Sequence, residues 1–296
     1  MLPEFDLLRP KTLPEALAML AEDGAMPIAG GTNVLVDLRT GKHQPRTLID
    51  VTRLPGLRGI QRVDGHLVIG GGTTISDLLH DPLIAQHAPA LREAAQVFAN
   101  PLIRNRATVA GNLVDASPAA DTAPPLLALD AEVELSSRAG VRRVPLTEFL
   151  VGVRKTVRQP DELLTAVRFL VPSAPGNASH FLKLSLRKAD AIAVLSAAVA
   201  VTWDAAGRCM EARIALGALA PRPLRATAAE AVLLGQTLTL ALMAEAARLA
   251  GEATRPIDDI RSTAAYRREV TEVIVRRLLG KTLTMKSHPF GTEVPV

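Results

Sequence analysis

Hydrophobic and polar positions in the first part of the chain alternate between helical and extended spacings. Between Leu13 and Leu20 the apolar residues fall on one helical face, and Thr12 and Glu15 have the spacing of a capping box at its start. Short apolar runs around Leu48 to Val51 and from Leu67 to Ile69 favour buried strands. The pattern therefore predicts a helix followed by strands.

The central part of the chain continues this alternation. Thr74 and Asp77 are placed to cap a helix, and a further helix is predicted from Pro89 to Ala99, where Pro101 stops it. The alternating residues from Ala131 to Leu135 predict another strand. Helices that alternate with strands are typical of α/β units.

The last third of the chain begins with a segment rich in Pro, Gly and Ser, Pro172 to Ser179, which we interpret as a linker. Two extended runs then turn at Ala206–Gly207 as a β-hairpin, and helices are predicted from Leu240 to Leu249 and from Ala264 to Leu279. We therefore expect an α+β protein with a first α/β subdomain over residues 1–55, a second over 56–173, a C-terminal domain over 178–284 and a tail over 285–296.

The composition is typical of a soluble globular protein. Hydrophobic residues make up 48% of the 296 positions and charged residues 22%, and no run approaches the roughly 20 apolar residues of a membrane helix. The N-terminus lacks the features of a signal peptide, so we expect a cytoplasmic protein without a membrane span. The net charge of +4 is dispersed and aromatic residues are only 3%, which argues against nucleic-acid binding.

Metal chemistry within this chain is not expected. Cys209 is the only cysteine, and one cysteine cannot hold an iron–sulfur cluster or build a zinc site. The chain also lacks a nucleophile elbow, a metal-ligand cluster and an obvious acid–base pair. We therefore predict no catalytic residues and no metal ligands, and a bound cofactor would have to supply the chemistry.

Two small-residue turns are the candidates for binding a cofactor. In Ala29-Gly30-Gly31-Thr32-Asn33, exposed backbone N–H groups can form a concave anion site, because glycine allows close approach and positive φ. Thr108-Val109-Ala110-Gly111-Asn112 has the same ingredients. Two such turns suggest a diphosphate held from two sides, although a tight turn without a ligand remains an alternative for each. Neither matches the Rossmann or P-loop pattern.

Other residues leave two interpretations open from the sequence alone. Asp121 could accept hydrogen bonds from ribose hydroxyls, or it could cap the helix that follows Thr122. Lys183 could face a flavin or a phosphate, or it could be a solvated strand residue. The run from Gly70 to Gly72 is interpreted as a chain reversal against which a cofactor edge could also pack.

The chain resembles the FAD-binding medium subunits of molybdenum hydroxylases, the xanthine dehydrogenase family that includes the carbon monoxide dehydrogenase flavoprotein subunit. The resemblance lies in the segments IAGGTNVL, IGGGTTISDL, IRNRATVAGNLVDASPAADTAPPLLALDAEVEL and KLSLRKADAIA. It implies an FAD-binding fold of the vanillyl-alcohol-oxidase (PCMH) type, with two α/β subdomains. It also implies a C-terminal α+β domain that has a three-stranded antiparallel sheet and helices.

The resemblance further implies a set of FAD-binding residues. Ile28, Ala29, Gly30, Gly31, Thr32 and Asn33 would wrap one side of the pyrophosphate, and Thr108, Gly111 and Asn112 would hold the other. Asp121 would bind the ribose or adenosine end. Phe98, Ala99 and Leu163 would contact the cofactor, and Lys183 would lie near the isoalloxazine, where its charge would favour the anionic reduced flavin.

The function that the resemblance implies is electron transfer within a heteromeric molybdenum hydroxylase. A large subunit would carry the molybdopterin cofactor and a small subunit two [2Fe–2S] clusters, in a complex expected to be a dimer of heterotrimers. FAD in this chain would pass electrons to an acceptor such as NAD, a quinone or O₂. The alternatives are a stand-alone FAD-dependent oxidoreductase of the same fold that acts directly on a small substrate, and a cofactor-free assembly subunit.

Two departures from the family pattern bear on these expectations. Ala110 stands where many relatives have a glycine, so the backbone there must suit an alanine. Some relatives carry a cysteine-rich loop for a [4Fe–4S] cluster between the Gly-Asn pair and the following aspartate. No cysteine lies between Asn112 and Asp121, so we expect no such cluster here.

Overall fold

A computed structural model describes residues 2–171 and 176–286, and the side chains of 284–286 are not described. The first part of the chain forms a three-stranded parallel sheet in the order β1–β3–β2. Its elements are β1 (Asp6–Leu8), α1 (Leu13–Leu20), β2 (Ala25–Ile28), α2 (Val34–Arg39) and β3 (Thr47–Asp50). The buried face of α1, which includes Ala16 and Leu20, packs with Ile49 of the central strand.

Helix α1 has the predicted apolar face, but its capping box is incomplete. The Thr12 hydroxyl accepts a hydrogen bond from the Glu15 N–H at 3.3 Å, as a cap should. The Glu15 carboxylate accepts from the N–H of Lys11 at 2.7 Å instead of returning to Thr12. The box predicted at Thr74 and Asp77 is complete, with bonds in both directions.

The second part of the chain forms a five-stranded antiparallel sheet in the order β4–β5–β10–β6–β7. Its helices cover the sheet and bury most of the largest hydrophobic core. The elements are β4 (Ile60–Val63), β5 (His66–Gly70), α3 (Ile75–His80), α4 (Pro82–His87), α5 (Pro89–Gln96), α6 (Pro101–Arg104), α7 (Val109–Asp115), α8 (Ala123–Ala128), β6 (Glu132–Ser137), β7 (Gly140–Pro145), α9 (Leu146–Phe149), the hairpin β8 (Leu150–Gly152) and β9 (Lys155–Thr156), and β10 (Leu163–Leu170).

The helix predicted from Pro89 to Ala99 is shorter than expected. It ends at Gln96, and Ala99 has a φ of +37°, which no α-helix accommodates. Pro101 does not stop this helix but begins the next one, α6. The Asn100 side chain caps α6 by accepting from the Ile103 N–H, because proline suits the first helical position and asparagine the N-cap.

The C-terminal part contains an antiparallel sheet of four strands in sequential order. Its elements are β11 (Asn177–Ser185), β12 (Ala193–Trp203), β13 (Cys209–Gly217), β14 (Leu224–Arg225), α10 (Thr227–Ala231), α11 (Leu240–Glu252) and α12 (Ala264–Lys286). The three long strands match the expected three-stranded sheet, and the two-residue β14 extends it. The hairpin turns where it was predicted, between β12 and β13.

Two of the predicted boundaries lie next to residues outside the described part of the chain. Of the predicted linker, Pro172–Pro175 lie outside the described residues, and from Asn177 the chain is already in strand β11. Helix α12 continues to Lys286, past the predicted start of the tail at 285; residues 287–296 lie outside the described part. The domain boundaries themselves stay a prediction.

The C-terminal sheet packs against the second part through α5 and α8. The contact includes a hydrogen bond of 2.9 Å between the His180 ring and the carboxylate of Glu93 on α5. Within residues 2–171 and 176–286, no helix has the length and apolarity needed to cross a membrane. The described side chains contain no cluster of three or more metal-ligating groups.

Candidate functional site

A cavity of about 820 Å³ lies between the first and second parts of the chain. This volume is within the range typical of small-molecule and cofactor sites. Three glycine-containing segments contribute to its wall: Gly30–Asn33 after β2, Gly71–Gly72 after β5, and Thr108–Asn112 at the start of α7. The two turns singled out in the sequence therefore face one cavity, together with a third.

The first turn is held tightly against the second part of the chain. A β-carbon on Gly30 would lie 2.0 Å from the carbonyl oxygen of Arg106, so only glycine fits this position. The Arg106 side chain in turn donates a 3.0 Å hydrogen bond to the Gly30 carbonyl. Gly31 has a φ of +74°, and Thr32 makes no hydrogen bond to another described residue. The turn thus brings to the cavity polar groups of Thr32 that form no hydrogen bond with another described residue.

The second turn is the first turn of helix α7 and not a turn that follows a strand. Thr108 is the N-cap, and its hydroxyl accepts from the Gly111 N–H at 3.0 Å. The side-chain oxygen of Asn112 accepts from the hydroxyl of Thr122 at 2.6 Å. Asn112 therefore fixes the segment that carries Asp121, and Asn112 also lines the cavity. A helix N-terminus favours negative charge, which suits a phosphate.

The triple glycine packs between the start of α7 and strand β10. The Gly71 N–H donates to the Thr165 carbonyl at 2.7 Å, and its own carbonyl accepts from the Ala110 N–H at 3.1 Å. A β-carbon on Gly71 would lie 2.3 Å from the Leu164 carbonyl oxygen. The run is thus a chain reversal, as interpreted, and two of its residues also form cavity wall. Close packing on both neighbouring segments requires glycine here.

Ala110 departs from the family pattern without strain. It lies in the first turn of α7, outside the positive-φ residues, and alanine is the most favourable residue in a helix. Its methyl group points toward Gly71, where a built β-carbon would be only 3.1 Å away. The alanine is therefore accommodated because the opposite residue is glycine.

Phe98, Ala99 and Leu163 also line the cavity. The Phe98 carbonyl accepts a 2.9 Å hydrogen bond from the guanidinium of Arg104, and the Ala99 carbonyl accepts from the Asp190 N–H at 3.2 Å. These bonds hold Ala99 in its left-handed conformation, which is strained for a residue other than glycine. The segment is therefore fixed by its surroundings.

Asp121 and Lys183 form an ion pair 2.7 Å long, and neither residue is part of the cavity wall. Their side chains are only 8% and 4% exposed. The alternative that Asp121 caps a helix is wrong, since α8 begins at Ala123 and its N-cap is Thr122. The alternative that Lys183 is a solvated strand residue is also wrong. Lys183 additionally donates to the carbonyl of Val97 at 3.4 Å, so the pair lies beside the Phe98 segment.

The Asp121 carboxylate is incompletely satisfied. One oxygen binds Lys183, and the other is buried with no hydrogen-bond partner among the described residues. Burial raises the pKa of Asp121 from 3.8 to about 6, against the opposing effect of the Lys183 charge. A buried acceptor without a partner is uncommon and marks a place where a ligand donor can bind.

A group of charged side chains at the cavity was not predicted from the sequence. Arg154, in the β8–β9 hairpin, bridges Asp37 at 3.4 Å and Asp115 at 2.6 Å, and Lys42 lies 3.1 Å from Asp37. All four line the cavity. Their sequence positions carry no shared motif, so only the fold reveals the group.

The residues predicted to bind the cofactor thus fall into two sets. Ile28 is the last residue of β2, and with Asp121 and Lys183 it lies outside the cavity wall. The wall contains the remaining predicted residues: Ala29, Gly30, Gly31, Thr32, Asn33, Phe98, Ala99, Thr108, Gly111, Asn112 and Leu163. Their roles as ligands stay a prediction.

Comparison with known proteins decides the family. Residues 3–173 match the FAD-binding domain of molybdopterin dehydrogenases, and residues 180–282 match the C-terminal domain of the CO dehydrogenase flavoprotein. The chain belongs to the molybdopterin dehydrogenase flavoprotein family.

Relatives of this family match the chain along nearly all of its length. The 6-hydroxypseudooxynicotine dehydrogenase complex subunit alpha of Paenarthrobacter nicotinovorans is 37% identical over 95% of each chain. The carbon monoxide dehydrogenase medium chain of Afipia carboxidovorans is 35% identical, over 94% of this chain and 96% of its own. A structure of carbon monoxide dehydrogenase from Hydrogenophaga pseudoflava has a TM-score of 0.91 at 32% identity, covering 96% of this chain and 99% of that one.

These matches confirm the predicted fold class and the resemblance from which it came. A molybdopterin dehydrogenase flavoprotein is a subunit of an oxidoreductase, as the sequence predicted. The cavity also fits the FAD that the family implies, on structural grounds. The Gly30–Asn33 turn lines the cavity, and the start of α7 on its wall favours a phosphate. Asp121, outside the wall, has a buried oxygen without a hydrogen-bond partner among the described residues.

Proposed function

We propose that this chain is the FAD-binding electron-transfer subunit of a heteromeric molybdenum hydroxylase. It takes electrons from a [2Fe–2S] subunit and passes them from FAD to an external acceptor. The observation that carries this proposal is the cavity where three glycine segments meet, since their backbone groups within a largely apolar wall suit a dinucleotide. The same role is supported by relatives that are a subunit of a dehydrogenase complex and the medium chain of a carbon monoxide dehydrogenase, and by the likeness to a structure of a Cu,Mo-CO dehydrogenase.

Two segments on opposite sides of the cavity would hold the pyrophosphate. Gly31, Thr32 and Asn33 would bind it from one side, and Thr108 with the first turn of α7 would bind it from the other. When bound, FAD supplies the redox chemistry, because it can accept electrons singly and release them in pairs. The protein binds and orients the flavin and adjusts its potential.

Asp121 and Lys183 would act together at one end of the cofactor. The family resemblance alone placed Asp121 at the ribose or adenosine and Lys183 at the isoalloxazine, but the two side chains are 2.7 Å apart. Lys183 also donates to the carbonyl of Val97, next to Phe98, which lines the cavity. We therefore assign both to the flavin-ring end, where the Lys183 charge would favour the anionic reduced flavin. Lys183→Ala is expected to lower the flavin reduction potential; an unchanged potential and unchanged acceptor kinetics would remove this role.

The proposal extends to the partners of this chain that the family resemblance implies. A large molybdopterin subunit and a small [2Fe–2S] subunit would complete a cytoplasmic dimer of heterotrimers. The acceptor would be NAD, a quinone or O₂. The substrate of the complex would bind in the large subunit, outside this chain.

Purification from the native source tests the proposal. The full chain should carry a yellow chromophore that mass analysis identifies as FAD and not FMN, because the proposed site holds a pyrophosphate. A molybdopterin protein and an iron–sulfur protein should copurify with it. A colourless chain that takes up no added FAD would overturn the proposal, and an FAD protein that turns over a small substrate without partners would replace it with the stand-alone enzyme.

A further inference from the structure

Arg154 joins two parts of the protein across one end of the cavity. Its guanidinium lies 3.4 Å from Asp37 on α2 and 2.6 Å from Asp115 on α7. Asp37 belongs to the predicted first subdomain, whereas Asp115 and Arg154 belong to the second. We call these three residues the Arg154 latch.

The backbone holds Arg154 in this position. Its φ is +54°, a left-handed conformation that disfavours every residue except glycine, asparagine and aspartate. Its N–H donates at 3.0 Å to the carbonyl of Ala116, the residue that ends α7 and itself has a φ of +46°. Such conformations persist only where the surrounding structure fixes them, and they concentrate at functional sites.

The charges of the latch depend on one another. The carboxylates of Asp37 and Asp115 are 9% and 10% exposed, so each is shielded from water, whereas the Arg154 side chain is 45% exposed. Lys42 assists at 3.1 Å from Asp37, but it reaches no acid on α7. Without Arg154, two poorly solvated carboxylates of the same charge would lie close together at this end of the cavity, which favours separation of the two parts.

We propose that Arg154 is a positioning residue that latches the two parts of the protein together and slows release of the cofactor from the cavity. The inference rests on the proposed function, because it takes FAD as the occupant. Arg154 would act through Asp37 and Asp115, and this role requires no contact between Arg154 and the flavin.

Arg154→Met tests the latch, with Arg248→Met as the matched control. Arg248 also bridges two carboxylates and is 47% exposed, but it lies on α11, away from the cavity. The full chain is loaded with FAD and diluted, and the flavin retained by the protein is measured over time after ultrafiltration. Release is expected to be about tenfold faster in R154M, which corresponds to about 1.4 kcal/mol, and unchanged in R248M.

Two further measurements separate the latch from a general loss of structure. Added salt should speed release from the wild type, because it screens the partly exposed Arg154, and should have little effect on R154M. Asp37→Asn should accelerate release less in the R154M background than in the wild type, since both changes break the same pair. Additive effects, a salt response equal in both proteins, or release from R154M at the rate of R248M would overturn the inference.

Hydrogen exchange of the flavin-free chain supplies a readout that needs no cofactor. In R154M, amides of residues 34–43 and 109–116 should exchange faster than in R248M, because the latch no longer restrains α2 and α7. If the wild type takes up no FAD, the proposed function fails while this exchange result still decides whether the latch exists. Unchanged exchange in both segments would count against it. If R154M does not fold, the Asp37→Asn variant alone serves for both measurements.

Discussion

Replacing Lys183 by methionine should destabilise the protein in a way that depends strongly on pH. The ammonium group is the single charged partner of the Asp121 carboxylate among the described residues, at 2.7 Å, and both side chains are more than nine-tenths buried. Methionine keeps the length and apolar volume of the lysine stem and removes the charge. The change therefore isolates the ion pair.

The magnitude follows from the titration of Asp121. Burial raises its pKa in the folded protein from 3.8 to about 6, so ionising it costs about 3 kcal/mol of stability, and this loss develops as pH rises from about 4 through 6. Without Lys183 the pKa of Asp121 rises further, because the nearby cation no longer favours the carboxylate. While Asp121 stays protonated in the folded variant, that variant loses about 1.4 kcal/mol more than wild type for each pH unit above 6, which sets an upper bound of about 3 kcal/mol at pH 8.

At pH 5 the same substitution should have little effect. Asp121 is then mostly protonated in both folded proteins. The wild type therefore has little charge attraction between residues 121 and 183 for the variant to lose. Removing a buried ammonium group that has no ionised partner can even stabilise the fold. The predicted signature is thus a loss at pH 8 that disappears at pH 5.

Urea unfolding of the flavin-free full chain at the two pH values measures this difference. Trp203 is the only tryptophan and is 5% exposed, so its fluorescence together with far-UV circular dichroism follows the transition. The double variant with Asp121→Asn should show no extra dependence between pH 5 and pH 8 from this pair. An equal loss from K183M at both pH values would refute the reasoning, because it would show that packing and not the Asp121 charge decides the effect.

The remaining predictions concern the cavity wall. Gly30→Ala should reduce the unfolding free energy by about 1–3 kcal/mol and abolish flavin retention. Gly280 has open space around it, so Gly280→Ala should stabilise the protein by up to about 1 kcal/mol. Urea unfolding and flavin content measure both variants. Ala110→Gly should lower stability by about 1 kcal/mol in thermal melts without tightening FAD binding, and a gain in affinity would contradict our account of this alanine. Thr108→Ala and Thr74→Ala should each lose about 1 kcal/mol as N-caps, but only the Thr108 variant should release flavin faster.

Local signals in the sequence were sufficient for much of the fold. The apolar face of α1, the hairpin between β12 and β13 and the complete capping box at Thr74 all arise between residues close in sequence. Pro101 shows how such a signal can be misinterpreted. Asn100 before a proline is a signature of a helix start, and we took the proline as a stop for the preceding helix.

The glycine turns were also predictable, but only in part. The positive φ of Gly31 is a local backbone property that a pair of glycines indicates. The requirement for glycine at Gly30 and Gly71 comes instead from backbone atoms of Arg106 and Leu164, which lie far away in sequence. Sequence alone therefore located the turns and could not show that a third one, after β5, shares their cavity.

Ion pairs between charged residues that are distant in the sequence could not be predicted from the sequence. Asp121 and Lys183 are 62 positions apart, and Arg154 and Asp37 are 117 apart, so neither spacing carries a helical or strand period. For Asp121 the sequence offered a local explanation, helix capping, and that explanation was wrong. Both pairs join segments that meet only when the subdomains pack together. Contacts between such segments cannot be provided by any single segment. It follows that ion pairs between distant segments are the features that local sequence patterns are least able to reveal.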